Sequence, residues 1–204
     1  MKCVIVCGAD IKNYKRAASY IEEEDFIIYC DSGLYHMEGL KAKPSLILGD
    51  FDSHQNPNLP VETIVLPVEK DDTDSVFAVK EGIKRGFSEF LLLGAVGNRF
   101  DHTFANIGAL LMLDSEGKHG KIIDDYSEFE ILSTEGEVEE HFSYFSLLNV
   151  SGEAYDISIT GAKYKMDHQT IKPEYQYAVS NEVLKGQTAK ITVHKGRVLL
   201  VKDF

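Results

Sequence analysis

The sequence is poor in basic residues. Lys and Arg together number 21 in 204 residues, against 33 Asp and Glu, so the formal net charge is −12. A protein whose main partner is a nucleic acid needs a broad basic surface, and this composition argues against one. One Arg with a metal ion can still form a local phosphate site, and an acidic surface suits a small cation.

Cysteines and long apolar runs are also scarce. Cys3, Cys7 and Cys30 lie in apolar segments and form no C-x-x-C pair, so we expect buried free thiols in a reducing compartment. The N-terminal segment is too short for the apolar region of a signal peptide, and no run approaches the roughly 20 apolar residues that span a bilayer. We therefore expect a cytoplasmic protein without a membrane partner.

The first part of the chain alternates short apolar runs with helical patterns. Strands are expected at 2–7, 26–30, 45–48, 63–66 and 89–93, and helices near 14–21, 34–40, 76–83 and 104–113. Apolar strands that alternate with helices predict a mostly parallel sheet covered on both faces. We take residues 1–118 as this α/β domain.

The second part reads differently. Its segments rich in Val, Ile, Tyr and Phe are separated by glycines and lie at 129–132, 144–150, 155–159, 177–184, 189–194 and 198–201. Such recurrent short strands predict an antiparallel sandwich or barrel. We expect this all-β domain to occupy residues 119–204.

A pair of aspartates follows the strand expected at 45–48. Asp50 and Asp52 are separated by one residue, so their side chains can point to the same side of an extended segment. Two carboxylates on one side suit Mg²⁺, which prefers oxygen ligands and keeps waters that a substrate phosphate can replace. Acidic loops are common, so this spacing alone leaves a solvated loop as the alternative.

A second group of carboxylates precedes the helix expected near 76–83. Asp71 and Asp74 are three residues apart, which puts both on one face of a first helical turn. Helix capping and the helix dipole explain one or two of these acidic residues. Carboxylates crowded next to Asp50 and Asp52 would repel one another unless a cation joined them.

The segment after the strand expected at 89–93 combines glycines with Arg99, Asp101 and His102. Gly94 and Gly97 permit tight turns whose backbone N–H groups can approach an anion. Arg99 offers a planar donor fork for phosphate oxygens, and Asp101 can orient it or lie near the metal. An ordinary surface ion pair for Arg99 and a structural hydrogen bond for His102 remain open. The segment matches neither the G-x-x-x-x-G-K-[ST] loop nor the G-x-G-x-x-G fingerprint.

Taken together, these motifs resemble the thiamine pyrophosphokinase family, and they occur in its order over nearly the whole chain. They are Asp31-Ser32-Gly33, Gly49-Asp50-Phe51-Asp52-Ser53, Lys70-Asp71-Asp72-Thr73-Asp74, Gly94-x-x-Gly97-x-Arg99-x-Asp101-His102 and Ser180-Asn181-Glu182. Ser32 and Asn98 stand where the family often has glycine.

The resemblance implies a Rossmann-like catalytic domain at 1–118 that binds ATP and Mg²⁺, followed by a thiamine-binding β-sandwich at 119–204. It implies transfer of the pyrophosphoryl group of Mg-ATP to the hydroxyl of thiamine, and a homodimer.

The resemblance also assigns roles to individual residues. Asp50, Asp52 and Asp74 would hold Mg²⁺, while Asp71 would be a further ligand or the acceptor of the hydroxyl proton. Arg99 and His102 are expected to bind phosphates, with Asp101 close to Arg99. Asp31 and Gly33 are expected to contact the nucleotide or thiamine. Ser180 and Asn181 are expected to contact thiamine.

Two other classes of function are weighed against this one. A Mg²⁺-dependent phosphohydrolase could use the same carboxylates with an activated water, although the sequence lacks a D-x-D-x-T nucleophile motif. A non-catalytic regulator that binds thiamine or nucleotide would not need the carboxylates for turnover.

Overall fold

The apolar runs of the first half of the chain become buried parallel strands. The computed structural model describes residues 1–51, 58–69, 71–152 and 154–204, which divide into one unit at Met1–Asp125 and another at Tyr126–Phe204. In the described part of the first unit, six strands form a parallel sheet. They are β1 (Cys3–Val6), β2 (Phe26–Cys30), β3 (Leu46–Gly49), β4 (Glu62–Val65), β5 (Glu89–Leu93) and β6 (His119–Ile123).

The order of these strands is β4-β3-β2-β1-β5-β6. The chain runs outward from β1 to β4 on one side and then returns to place β5 and β6 on the other, so the order reverses between β1 and β5. Every residue of β1 and β3 is buried. Because successive side chains in a strand point to opposite faces, both faces of the sheet are covered here.

Four helices connect the described strands of this unit: α1 (Tyr14–Ser19), α2 (Met37–Leu40), α3 (Asp74–Lys84) and α4 (Phe100–Ser115). A 3-10 helix at Asp31–His36 precedes α2. The side chain of Asn13 caps α1, and the hydroxyl of Thr73 caps α3 by accepting from the N–H of Val76 at 3.3 Å. Side-chain oxygens at these positions satisfy backbone donors that the first turn leaves without partners.

The second unit is all-β. Its described strands are β7 (Ser127–Leu132), β8 (Glu135–Glu139), β9 (Tyr144–Leu148), β10 (Ala154–Thr160), β11 (Met166–Gln169), β12 (Thr188–Gly196) and β13 (Val198–Asp203). They pair antiparallel in the orders β7-β13-β9 and β11-β10-β12-β8. Inward-facing residues of both groups, such as Leu147, Ile157, Ile191 and Leu200, share one core, as in a sandwich.

Several secondary-structure elements differ from those that the sequence predicts. No strand forms at 177–184 among the described residues, where Asn181 and Val183 make only isolated bridges; Ser180, at φ 54°, interrupts the extended backbone. Three short strands, β6, β8 and β11, were not expected, because charged or small residues fill much of each. The pairing of β6 with β5 extends the first unit to Asp125, seven residues beyond the limit expected at residue 118.

Among the described residues, no helix combines the length and the apolar character that crossing a membrane would require.

Candidate active site

The polar motifs of the first unit follow strands that lie side by side. Asp31 follows β2, Asp50 follows β3 and Gly94 follows β5. In the parallel sheet β2 and β5 flank β1, and β3 lies beside β2. The carboxyl ends of parallel strands meet at one edge, and the reversal of strand order opens a crevice for ligands there. The motifs therefore converge at the reversal between β1 and β5.

Three carboxylates come together at this edge. One carboxylate oxygen from each of Asp31, Asp50 and Asp74 lies within 4.8 Å of the other two, a grouping that could hold a metal ion. Asp31 is only 4% exposed, whereas Asp50 and Asp74 are partly buried. The oxygen-only donor set fits Mg²⁺.

A glycine at the end of β3 lets two of these aspartates approach each other. A Cβ added to Gly49 would lie 2.8 Å from the Cβ of Asp31, and 3.1 Å from its backbone N and Cα. Any larger residue would push the backbone at Asp31 away from β3. Gly49 thus allows the carboxylate group to form, although it offers no ligand atom of its own side chain.

The group differs in membership from the one expected from the sequence. It contains Asp50 and Asp74 as expected, and it adds Asp31, for which we expected a substrate contact. Asp71 is exposed and belongs to no such group within the described ranges, and Asp52 lies outside the described residues. The D-x-D spacing indicated Asp52 as a ligand, whereas Asp31 was indicated by its position directly after a buried strand and by the Asp31-Ser32-Gly33 motif, for which we expected a substrate contact.

A buried hydrogen-bond network connects the first turn of α3 to α4. The hydroxyl of Ser75 donates to the amide oxygen of Asn106 at 2.6 Å, and the amide nitrogen of Asn106 donates to the carbonyl of Ala95 at 2.8 Å. The Thr73 and Ser75 hydroxyls are 3.1 Å apart. The network fixes the backbone at Asp74 relative to the glycine-rich segment after β5; we did not expect either Ser75 or Asn106 from the sequence.

The glycine-rich segment packs against the loop that follows β1. Gly94 has φ +60°, and a Cβ there would lie 2.5 Å from the carbonyl oxygen of Cys7. Its own carbonyl accepts from the N–H of Ala9 at 2.9 Å, and the N–H of Gly97 donates to the Thr103 hydroxyl at 3.1 Å. The turn is therefore held by backbone contacts that only glycine permits at position 94.

Arg99 and Asp101 form a two-point ion pair at the start of α4. Arg99 Nε donates to Asp101 Oδ1 at 3.1 Å and Nη2 to Oδ2 at 2.6 Å, and both side chains are largely exposed. The hydrogen bonds from Arg99 lower the pKa of Asp101 to about 2, and the same pairing raises the pKa of Arg99. Asp101 therefore orients the guanidinium and remains ionised at neutral pH. His102 is exposed in the first turn of α4.

The remaining expected residues divide between exposed and buried positions. Gly33 is buried in the 3-10 helix that begins at Asp31. In the second unit Ser180 is exposed, whereas Asn181 is 4% exposed. The amide nitrogen of Asn181 donates to the Tyr164 carbonyl at 2.7 Å, and its oxygen accepts from the N–H groups of Tyr164 and Glu182.

This order of motifs on an α/β unit followed by a β-sandwich is matched by known proteins. A family model described as thiamin pyrophosphokinase, catalytic domain, matches residues 17–122, which is slightly more than half of the chain. A second, described as thiamin pyrophosphokinase, vitamin B1 binding domain, matches residues 131–198. The chain belongs to the thiamin pyrophosphokinase family.

Individual thiamin pyrophosphokinases agree over the whole length. The thiamine pyrophosphokinase of Bacillus subtilis (strain 168) is 23% identical over 98% of this chain and 97% of its own. The crystal structure of the enzyme from Bacillus subtilis superposes with a TM-score of 0.86 at 22% identity, covering 100% of this chain and 99% of that one. The enzyme from Geobacillus thermodenitrificans gives 0.85 at 22% identity, covering 100% and 98%; at these identities the likeness concerns the fold.

Membership of the thiamin pyrophosphokinase family gives the reaction. The chain is a transferase that moves the pyrophosphoryl group of ATP to the hydroxyl of thiamine, which yields thiamine diphosphate and AMP.

Proposed function

We propose that the carboxylate edge of the parallel sheet is where the chain holds the Mg²⁺ of Mg-ATP during this transfer. The observation that supports it is the group formed by Asp31, Asp50 and Asp74, whose oxygens lie within 4.8 Å of one another. Three carboxylates this close repel one another unless a cation offsets their charge. Asp52, which is separated from Asp50 by one residue, is proposed as a further ligand.

Mg²⁺ bound there would neutralise charge on the phosphate oxygens while the pyrophosphoryl group is transferred. The chain's own contribution is to fix its three carboxylates on adjacent elements before substrate arrives. Asp31 and Asp50 follow neighbouring strands, and the Ser75–Asn106 network holds Asp74 beside them. Such preorganisation lowers the barrier because it costs no reordering at the moment of reaction.

Arg99 is proposed to bind the phosphates of ATP. Its pairing with Asp101 uses two of the five N–H donors of the guanidinium, so within the described part of the chain three remain for phosphate oxygens. An oriented fork matches phosphate geometry better than a flexible ammonium group does. His102, exposed on the same first turn of α4, is a second proposed donor to phosphate.

In the transfer itself, the hydroxyl oxygen of thiamine bonds to the β-phosphorus of ATP while the bond from that phosphorus to the AMP oxygen breaks. The hydroxyl proton must leave at the same time. We assign it to Asp71, which is exposed, lies three residues before Asp74 in the sequence and is outside the three-carboxylate group. Asp101 is a poor proton acceptor because its pKa is held at about 2.

The thiamine end is proposed to involve the second unit through Ser180, which is exposed on a left-handed turn. Asn181 would shape that turn through its buried bonds to the backbone of Tyr164 and Glu182. The doubly wound strand order supports a Rossmann-like catalytic domain in the first unit, with Gly33 in the 3-10 helix proposed to face the nucleotide. From the family resemblance we further propose a cytoplasmic homodimer.

The test is an assay of purified protein with thiamine, ATP and Mg²⁺ that follows AMP and thiamine diphosphate together by HPLC. We expect equal amounts of both, lost on adding EDTA and in Asp50→Asn. The matched control is Asp72→Asn, because Asp72 pairs with Lys80 at 2.6 Å and lies outside the carboxylate group. Full activity in Asp50→Asn would contradict the proposed metal site.

A phosphohydrolase built on the same carboxylates is the alternative. It predicts inorganic phosphate released from ATP without thiamine, and no AMP that depends on thiamine. The same assay separates the two, since pyrophosphoryl transfer gives no product when thiamine is omitted.

A further inference from the structure

A second group of metal-ligating side chains lies in the β-sandwich, among the described residues of three neighbouring strands. Asp156 on β10, His168 on β11 and His194 on β12 each offer a ligand atom, and these atoms all lie within 4.8 Å of one another. We propose that Asp156, His168 and His194 form a binding site for a divalent transition-metal ion of the zinc class. This site is chemically different from the carboxylate edge of the first unit.

The sheet register brings the three residues together. Tyr155 pairs with Lys195 and Ile157 with Val193, so Asp156 and His194 lie between the same two residue pairs. Ile157 and Val193 point into the core of the unit, whereas Asp156 is partly buried and His194 is exposed. The edge strand β11 pairs with β10 through an irregular register and adds His168 from the opposite side.

The side chains already contact one another. His168 Nδ1 and Asp156 Oδ1 form a hydrogen bond, and the rings of His168 and His194 stack with centroids 5.7 Å apart and planes inclined by 22°. His168 and His194 are exposed, so their contact does not result from packing in the core of the unit. The stacked rings and the carboxylate bring nitrogen and oxygen donors into one shared space.

The backbone at two of the three residues has an unusual conformation. Asp156 has φ 56° and His168 has φ 50°, both in the left-handed region. A residue other than glycine in this conformation costs free energy, although Asp and His tolerate it better than most. These two strained positions belong to the two residues that form the hydrogen bond, on two adjacent strands.

The donor set selects the class of metal. Two imidazole nitrogens with one carboxylate oxygen suit Zn²⁺ and similar ions, which accept three protein ligands and complete their shell with water. Mg²⁺ and Ca²⁺ prefer oxygen donors throughout. Asp167 lies 3.7 Å from His168 Nε2, so a second carboxylate adds negative charge near the site. A bound metal ion would take the place of the proton in the hydrogen bond between Asp156 and His168, and this proton would be released to solvent.

The experiment is a titration of the full-length chain, stripped with EDTA and dialysed, with Co²⁺ as a spectroscopic probe and then Zn²⁺ as competitor. A saturating excess of Mg²⁺ is present throughout to occupy the carboxylate edge. We expect one Co²⁺ per chain with visible absorption bands of nitrogen ligation, displaced by Zn²⁺. His168→Ala and His194→Ala should each weaken binding about tenfold or more. His141→Ala, an exposed histidine elsewhere in the same unit, and Asp50→Asn should leave the titration unchanged.

Binding that is equal in His168→Ala, His194→Ala and the parent chain would overturn the site, as would its loss in Asp50→Asn. NMR of the histidine rings provides a measurement that needs no variant. Of the seven histidines, the signals of His168 and His194 should shift when Zn²⁺ is added, and a shift confined to other rings would overturn the proposal. Circular dichroism of the metal-free variants checks that each is folded before its titration is interpreted.

Discussion

The hydroxyl of Ser75 donates a hydrogen bond to the amide oxygen of Asn106 at 2.6 Å, and both side chains are buried. Ser75 directly follows Asp74 in the first turn of α3. Asn106 lies on α4 and reaches the carbonyl of Ala95 with its other amide atom. One asparagine thus links an aspartate of the carboxylate group to the glycine-rich segment that precedes Arg99.

Asn106→Ala should therefore impair both stability and turnover. It leaves the Ser75 hydroxyl and the Ala95 carbonyl buried without this partner, which we expect to lower the free energy of unfolding by about 2–3 kcal/mol. Loss of positioning should reduce kcat/KM on the order of 10- to 100-fold. Urea unfolding and the HPLC assay measure the two effects. The control is Ser19→Ala, whose exposed hydroxyl donates to the Arg16 carbonyl, and which should change neither.

How far the sequence predicts the site can be judged from its aspartates. Asp50 and Asp74 lie in spacings typical of metal ligands or helix caps, so the sequence indicates them. Asp31 joins them because β2 and β3 are adjacent and Gly49 allows close approach, which is a property of strand order rather than of spacing. The sequence has no local signal for strand order.

The same limit applies to the secondary structure. Apolar runs such as β1, β2 and β5 were predictable because both of their faces are buried. Short polar strands such as β8 and β11 were not, because they lack an apolar run. β8 pairs with the distant β12, and β11 pairs with β10 through an irregular register. The His168–His194 pair was missed for this reason: 26 residues separate them in the sequence, and only the antiparallel register brings them together.

Asp31 and Asp71 should respond differently to removal of charge. Asp31→Asn removes a member of the carboxylate group, so we expect the Mg²⁺ concentration for half-maximal activity to rise about tenfold or more. Asp71→Asn should lower kcat while leaving the Mg²⁺ dependence close to that of the parent chain, because Asp71 is proposed to accept a proton. Initial rates measured over a series of Mg²⁺ concentrations distinguish the two. A larger shift in Mg²⁺ dependence for Asp71→Asn would reverse the two assignments.

Replacing Arg99 by Lys should be costly although the charge is kept. The two-point contact with Asp101 needs Nε and Nη2 of a guanidinium, and an ammonium group cannot reproduce it together with contacts to phosphate. We expect kcat/KM for ATP to fall on the order of 10²-fold. Asp101→Asn removes the carboxylate that orients Arg99 but keeps the guanidinium, so kcat/KM for ATP should fall less than in Arg99→Lys.

The pH dependence of the rate offers a further check on the pair formed by Arg99 and Asp101. Since the pKa of Asp101 is about 2, its titration should contribute nothing to the rate profile between pH 5 and 9. An inflection in that range that disappears in Asp101→Asn would show that the ion pair does not control this carboxylate.

Ser180 and Asn181 are neighbours with different expected roles. Asn181→Ala removes three hydrogen bonds to the backbone of Tyr164 and Glu182, and should lower the free energy of unfolding by about 2–4 kcal/mol. Ser180→Ala should leave stability nearly unchanged and raise KM for thiamine without changing KM for ATP. Thermal unfolding and paired KM measurements test both. Equal KM for thiamine in Ser180→Ala and the parent chain would remove Ser180 from the proposed thiamine contact.

Asp25 makes the stability of the first unit sensitive to acid. Its side chain is buried and accepts from Lys2 Nζ at 2.7 Å, from the Lys2 N–H at 2.8 Å and from the Glu22 N–H at 2.9 Å. Burial acts to raise the pKa of Asp25, but these donors outweigh it, so the pKa is lowered in the folded chain. The carboxylate therefore stabilises the fold above its unfolded pKa of about 3.9. That contribution is lost as the pH falls through the folded value.

Asp25→Asn should accordingly lower the free energy of unfolding by about 2–3 kcal/mol at neutral pH, and the difference from the parent chain should narrow below pH 4. Urea unfolding at a series of pH values measures it, with Glu23→Gln as an exposed control expected to change stability by less than about 0.5 kcal/mol. A difference that stays constant down to pH 2 would mean that the amide disrupts packing rather than the charge-assisted bonds. A narrowing gap would instead assign the acid sensitivity to the link between the start of β1 and the turn before β2.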